Sequence, residues 1–454
     1  MGKQTGDKKA AGSGVSRIRK GKDSIEPFSF CGVTLKTVDA ETVKNHLLAL
    51  VALSVITKIC VLFATIYIFH SFVDTFDHQY YLESIINPLN GKMPYVDFSF
   101  DYPPLAYIPI ILAFIPAWLF NSASAFIFSF QVLMILCDAA IVGCIYLIGL
   151  KIYNEKTAFI AGTLYATAFA GAYFVLTKFD AFPTSLLMVA VLFTVYKMPL
   201  RGYLAATTGF LAKIYPLVAF PFLVLYNAKS TSLKQEILSA LKIFVPVALI
   251  LGIPVLLFAP GIISSYIGGS LVRTDVYVNT ATNTLSACLN DILHLGISSA
   301  IVSTLMYVLL GLVMITLLVY AWVDQRPSEK TLIKLLAFSL FSIVFCMKYH
   351  SPQYILWFLP FVALLVADSL AGIACFYITQ VLAYVEFPLL FGTLYVNTSY
   401  TGAAGSSGWY LTWLFFAVES ILFLVLMYLA VKPSRAHINK ILDFFRNRTE
   451  KSGA

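Results

Sequence analysis

Apolar runs of about 17–25 residues recur along most of the chain, the length needed to cross a hydrocarbon core about 30 Å thick. This feature excludes most folds. Inside lipid the backbone must satisfy its own hydrogen bonds, so each crossing is a helix or a strand of a closed barrel. Barrel strands alternate polar and apolar residues, and the unbroken run Phe244–Ala259 does not. Of 454 residues, 59% are hydrophobic and 12% charged, against roughly 25% charged in a soluble domain, so no soluble fold could hide this apolar surface. The fold class is therefore all-α: a polytopic transmembrane bundle of about 12 spans. The expected spans are 47–70, 124–150, 157–176, 181–197, 202–213, 214–227, 238–259, 296–323, 331–347, 353–369, 371–395 and 409–431.

The segment 103–120 is apolar enough to be a further span, and the positive-inside rule decides against it. Short cytoplasmic loops collect Lys and Arg. If 103–120 lies along or dips into the outer face, the inside receives Lys151, Lys156, Lys197, Arg201, Lys229, Lys234, Arg326 and Lys330 together with both basic tails. Only Lys92, Lys178, Lys213, Arg273 and Lys348 stay outside. A crossing at 103–120 would invert every later loop. The expected organisation is a basic cytoplasmic tail at 1–45, disordered over its Gly/Ser/Lys-rich start, a transmembrane domain at 46–431 with an outer loop at 71–123, and a second basic cytoplasmic tail at 432–454. The net charge of +8 is thus a topology signal and implies no nucleic-acid partner. The 7 cysteines are scattered and show neither zinc-ligand spacing nor a disulfide framework. Walker, GxGxxG, HExxH and CxxC motifs are absent.

Polar chemistry gathers on the outer side. The first outer loop holds Asp74, Asp77, Glu83, Asp97 and Asp101 among tyrosines and prolines. Any one of these carboxylates could simply be solvated. Together, on a stiff aromatic segment at headgroup level, they offer a general base to a polar substrate at the interface. Asp77 is the best candidate, close after the first span and one helical turn before Tyr81; Asp74 is the runner-up. Lys178 and Asp180 share a tight turn and either neutralise each other or face a ligand. Lys213 in LAKIYP either snorkels to the interface or serves the site. Lys348, His350 and Gln353 in KYHSPQY, with Arg273 in LVRTD, supply donors suited to an anion such as phosphate. Lys58, in mid-span, should face the protein interior and is given no role. Asn397-Thr398-Ser399 is a glycosylation sequon on an outer loop.

Over residues 45–370 the chain resembles the GT-C superfamily of membrane glycosyltransferases, which take sugars from polyprenol-phosphate donors. The resemblance rests on Asp77 and Tyr81 after the first span, GKMPYVDFSFDYPPL (Gly91–Leu105), an amphipathic juxtamembrane helix, KFDAF (Lys178–Phe182), LAKIYPL (Leu211–Leu217) and KYHSPQYILWFLP (Lys348–Pro360). The HSPQY stretch is similar to dolichyl-phosphate-mannose-dependent mannosyltransferases, including the first GPI mannosyltransferase, and to glycosyltransferase family 87. Where several relatives carry Asp-x-Asp, this chain has DTFD. The resemblance implies a catalytic Asp77 and inverting transfer of a hexose, mannose by expectation. The donor would be a polyprenyl (dolichyl) phosphate sugar and the acceptor a glycolipid, glycan or protein. It further implies acceptor or donor contacts from Asp74, Tyr81, Asp101, Tyr102 and Asp180, and phosphate contacts from Lys178, Lys213, Arg273, Lys348, His350 and Gln353. No cofactor is required, no metal ligands are assigned, and a divalent cation is compatible. The setting would be the plasma membrane of a prokaryote or the endoplasmic reticulum. The alternative is a transporter or flippase, which would show buried charge and broken helices at mid-membrane rather than polar groups at one face.

Overall fold

The computed structural model describes residues 27–258, 279–324, 328–348, 351–395 and 406–432. Among them are 17 helices and one two-stranded hairpin. The hairpin, β1 (Pro27–Phe30) and β2 (Val33–Asp39), lies inside the segment read as a tail. Its Phe30 ring meets Tyr196 edge-on at 5.1 Å. Asp39 then caps α1 (Ala40–Phe63), accepting from the Thr42 amide at 2.8 Å, and a π-turn carries the helix to Ile68.

The segment read as the first outer loop folds into α2 (Phe76–Leu89) and α3 (Tyr107–Phe120). At Asn121 the backbone turns left-handed (φ +46°), and α4 (Ala123–Ile152) packs beside α3. α5 (Glu155–Ala166) and α6 (Phe169–Thr177) form a pair bent by 56°. Next come α7 (Ala181–Val195), α8 (Pro199–Ala212), α9 (Ala219–Asn227) and α10 (Leu233–Phe258). α11 (Ala281–Ala287), α12 (Ser299–Val323), α13 (Glu329–Cys346) and α14 (Ile355–Val366) follow. The described chain ends with α15 (Leu370–Tyr384), α16 (Phe391–Tyr395) and α17 (Ser407–Val431).

The described parts of the expected spans fall largely on helix, but fewer helices have the length and composition of a crossing. Six do: Ala40–Ile68, Ala123–Ile152, Leu233–Leu257, Ser299–Val323, Leu370–Leu389 and Ser407–Val431; the bent α5–α6 pair makes seven. The chain is thus a polytopic helical membrane protein, while helix length does not support a count of about 12. The reason is physical. α7, α8 and α14 have 15, 14 and 12 residues, about 18–22 Å of helix. They are inner helices; every residue of α14 is buried. Long helices surround them, and only 6% of the apolar window of α10 and 11% of that of α12 are buried, as befits lipid-facing walls. α3 is also too short to cross, in keeping with its exclusion from the spans.

Phe130 of α4 lies beside His78 and Tyr81 of α2. The opposite end is laced by lysines. Lys197 reaches the Tyr226 hydroxyl at 3.1 Å, Lys229 the Trp322 carbonyl at 2.7 Å, and Lys330 the Asp368 carboxylate at 3.1 Å. Lys334 binds the Val431 and Lys432 carbonyls at the end of α17.

One buried charge pair ties α1 to α4. Lys58 lies 2.6 Å from Asp138 and 2.7 Å from Ser54, which itself donates to Asp138 at 2.6 Å. Asp138, unremarked in its apolar run, is the partner that lets Lys58 face inward. Lys58→Met alone strands a buried carboxylate and should cost about 3–5 kcal/mol. Lys58→Met with Asp138→Leu should recover most of that loss in thermal unfolding of the detergent-solubilised protein. Equal losses in the single and double variants would show that the pair carries no such strain.

Candidate functional site

At the end of the bundle that holds α2, the termini of α2, α6, α7, α8 and α14 converge. α7 and α8 approach closely because residue 202 is glycine: a Cβ there would lie 3.0 Å from the Ala190 carbonyl oxygen. This contact keeps the two helices in register. Asp180 immediately precedes α7, and Lys213 immediately follows α8.

Two ion pairs form the centre. The Lys178 ammonium contacts Asp74 and lies 2.8 Å from Asp77. Lys213 lies 2.6 Å from Asp180, whose same oxygen accepts from the Trp357 indole at 2.7 Å. The sequence placed Lys178 and Asp180 as neighbours able to neutralise each other; the structure pairs each with a different element. Nor does Lys213 snorkel. It is 8% exposed and sits within 5.3–5.4 Å of the ring centroids of Tyr102, Phe179, Tyr354 and Trp357. Aromatic faces stabilise a cation and keep water away from it.

The three carboxylates differ in what remains free. Asp74 is committed: one oxygen accepts from the Phe76 amide at 3.0 Å at the start of α2, and the other holds Lys178. Asp180 is buried, and its second oxygen has no hydrogen-bond partner among the described residues. Asp77 is the most open, its side chain 16% exposed against 6% for Asp74. One of its oxygens takes both Lys178 and the Tyr81 hydroxyl, the latter at 3.4 Å, and the other accepts no bond among the described residues. Burial raises the Asp77 pKa above 3.8, with Lys178 opposing and Asp74 and Asp180 reinforcing the shift. Burial works against charge on Lys178, but Asp77 and Asp74 outweigh it and raise its pKa. Tyr81 and Tyr102 are pushed well above 10, chiefly by burial.

The remaining candidates are placed unevenly. Tyr102 joins the cage, whereas Asp101 is exposed and bonds only locally, its amide to the Tyr80 hydroxyl at 2.8 Å. Gln353 is buried and accepts from Ser351. Lys348 is half-buried in the turn after α13, its carbonyl accepting from Asn283 at 2.9 Å. Arg273, His350 and the sequon at 397–399 lie outside the described residues. Among the described residues, no group of three His, Cys, Asp or Glu side chains is placed to hold a metal ion.

Sequence reasoning missed His78, Trp357 and Phe179. His78 is buried between α2 and α6, with Nε2 3.2 Å from the Leu176 carbonyl. It also missed the buried carboxylates Asp138, Glu386 and Glu419, so polar groups do not all collect at one face. An ionisable residue within an apolar run is itself a signal, because it must find a partner.

No family model matches the chain, and no curated protein matches it. Among solved structures it is similar to the oligosaccharyltransferase of Archaeoglobus fulgidus, crystallised with a tethered acceptor peptide containing an NVT sequon. The identity is 13% and the TM-score 0.39, over 86% of this chain and 55% of that one. The chain spans about half the length of that structure. A likeness of this size identifies neither an activity nor a substrate.

His78 makes the site end acid-sensitive. Burial lowers its pKa from 6.5 to about 4, against the opposing pull of the Leu176 carbonyl. Between those values the unfolded chain binds the extra proton, so stability falls as pH drops from 6.5 to 4, by about 3 kcal/mol in all. His78→Gln should flatten that part of the curve in thermal unfolding across pH. An unchanged slope would assign the acid sensitivity elsewhere.

Proposed function

We propose that this cluster of paired charges carries out inverting transfer of a hexose from a polyprenyl phosphate to an acceptor hydroxyl. In the finer reading the sugar is mannose, the carrier dolichyl phosphate, and the acceptor a glycolipid, glycan or protein. The site would face the outer or luminal side, with both termini cytoplasmic. The lysine-laced opposite end supports that orientation.

The observation that carries the reading is Asp77: a carboxylate of raised pKa, anchored through one oxygen by Lys178 and open through the other. The cluster of Asp74, Asp77 and Asp180 with Lys178 and Lys213 is one positive charge short when all are ionised. One proton would balance it. The acceptor oxygen attacks the anomeric carbon, its proton passes to Asp77, and the C–O bond to the lipid phosphate breaks with its electron pair on the phosphate. A single displacement inverts the anomeric centre. The phosphate is already a stable anion, so its departure needs no general acid. Lys213, in its aromatic cage, would hold that charge in a partly dry site where electrostatic stabilisation is strong. Lys178, Lys348, Gln353, Arg273 and His350 stand as further candidate donors.

In vesicles containing dolichyl- or undecaprenyl-phosphate mannose, the purified protein should glycosylate a polar acceptor, read by mass spectrometry. Asp77→Asn should lower turnover by about 10²–10⁴-fold with unfolding temperature unchanged. Asp74→Asn should instead lower stability by about 1–3 kcal/mol. Because the base must be ionised, the acid limb of kcat/KM should lie above pH 3.8. Full activity in Asp77→Asn would remove the base, and substrate movement without transfer would favour the transporter.

A further inference from the structure

Trp357 touches both members of the Lys213–Asp180 pair. Its indole N–H donates to Asp180 Oδ1 at 2.7 Å, the same oxygen that accepts from Lys213 at 2.6 Å. Its ring centroid lies 5.4 Å from the Lys213 ammonium. Asp180 immediately precedes α7, Lys213 follows α8, and Trp357 lies in the first turn of α14. One carboxylate oxygen therefore joins three helices.

The indole is held so that it cannot turn. Tyr215 stacks on it at 4.3 Å with 7° between the planes, and Tyr354 at 4.1 Å with 29°. Two rings so near one centroid would collide on a single face, so they grip the indole from opposite sides. Tyr215 is itself tied down: its hydroxyl pairs at 2.6 Å with that of Thr184, one turn beyond Asp180. With its plane fixed, the indole N–H has one direction, and that direction fixes the Asp180 oxygen.

This matters for Lys213. An ammonium carries three N–H donors on a flexible stem. Asp180 takes one of them, and the other near neighbours are ring faces. The position of Asp180 Oδ1 thus sets where the other two N–H groups point. The indole also gives the carboxylate a second donor without adding charge, so Asp180 needs only one N–H from Lys213. We infer that Trp357 is a positioning residue for anion binding: its N–H pins Asp180 and thereby aims the remaining N–H groups of Lys213 at the lipid phosphate. The inference rests on the proposed role of Lys213 as the cation that holds that phosphate.

The test replaces Trp357 with 3-benzothienylalanine, which keeps the shape and stacking of the indole and puts sulfur where the N–H was. Binding of undecaprenyl phosphate and of undecaprenol to the full-length protein in detergent is read by native mass spectrometry. The phosphate should bind about ten-fold more weakly than to the unaltered protein, with undecaprenol binding and unfolding temperature unchanged. The acid limb of kcat/KM should not move, because Asp77 belongs to the Lys178 pair. If the analogue protein does not fold, Trp357→Phe carries the same comparison. Native phosphate affinity in the altered protein, or an equal loss for undecaprenol, would reduce Trp357 to packing and overturn the inference. An unaltered protein that binds both lipids equally would instead remove the phosphate role of Lys213, and the inference with it.

Discussion

The position of the Lys178 ammonium, between Asp74 and Asp77, is the interaction on which the functional end depends. A lysine that leaves water must bring its counter-charge with it. The two carboxylates come from the outer loop and the cation from the end of α6, so satisfying the charge also fixes where the loop lies. Asp74 also accepts from the Phe76 amide at the start of α2, and α2 carries Tyr81 beside Asp77 and Phe130. Lys213 and Asp180 repeat the logic between α8 and α7. Lys58 and Asp138 repeat it deeper in the bundle.

Much of this was legible in the chain. Apolar run length located the helices to within a few residues because lipid permits only one local solution for such runs. Asp77, Asp180, Lys178 and Lys213 stood out because charges beside spans are scarce. Even the choice between the two aspartates of DTFD becomes physical once the helix start is known: the first is used up by the Phe76 amide and Lys178, the second keeps an open oxygen.

What sequence alone could not supply was pairing. Lys178 and Asp180 are two residues apart and could have neutralised each other, yet the turn between α6 and α7 sends them to different partners. Lys213 read equally as a snorkelling side chain or a site cation, and four rings from three parts of the chain close around it. Asp138 and Lys58 are separated by 80 positions, too far for any local rule to connect. The short hairpin at 27–39 was hidden for another reason: it follows a polar start that dominated the composition of its segment. Helix length supports six or seven crossings rather than about 12, because a buried inner helix and a long crossing share the same apolar signature in sequence.

The aromatic cage of Lys213 has a consequence for how the two ion pairs hold together. Its rings come from three parts of the chain: the stretch before α3, the turn before α7 and the start of α14. Moving any one of them readmits water to the ammonium and loosens its hold on Asp180. The charge on Lys213 is therefore tied to the docking of all three, and a shift in one segment is felt by the others through a single atom.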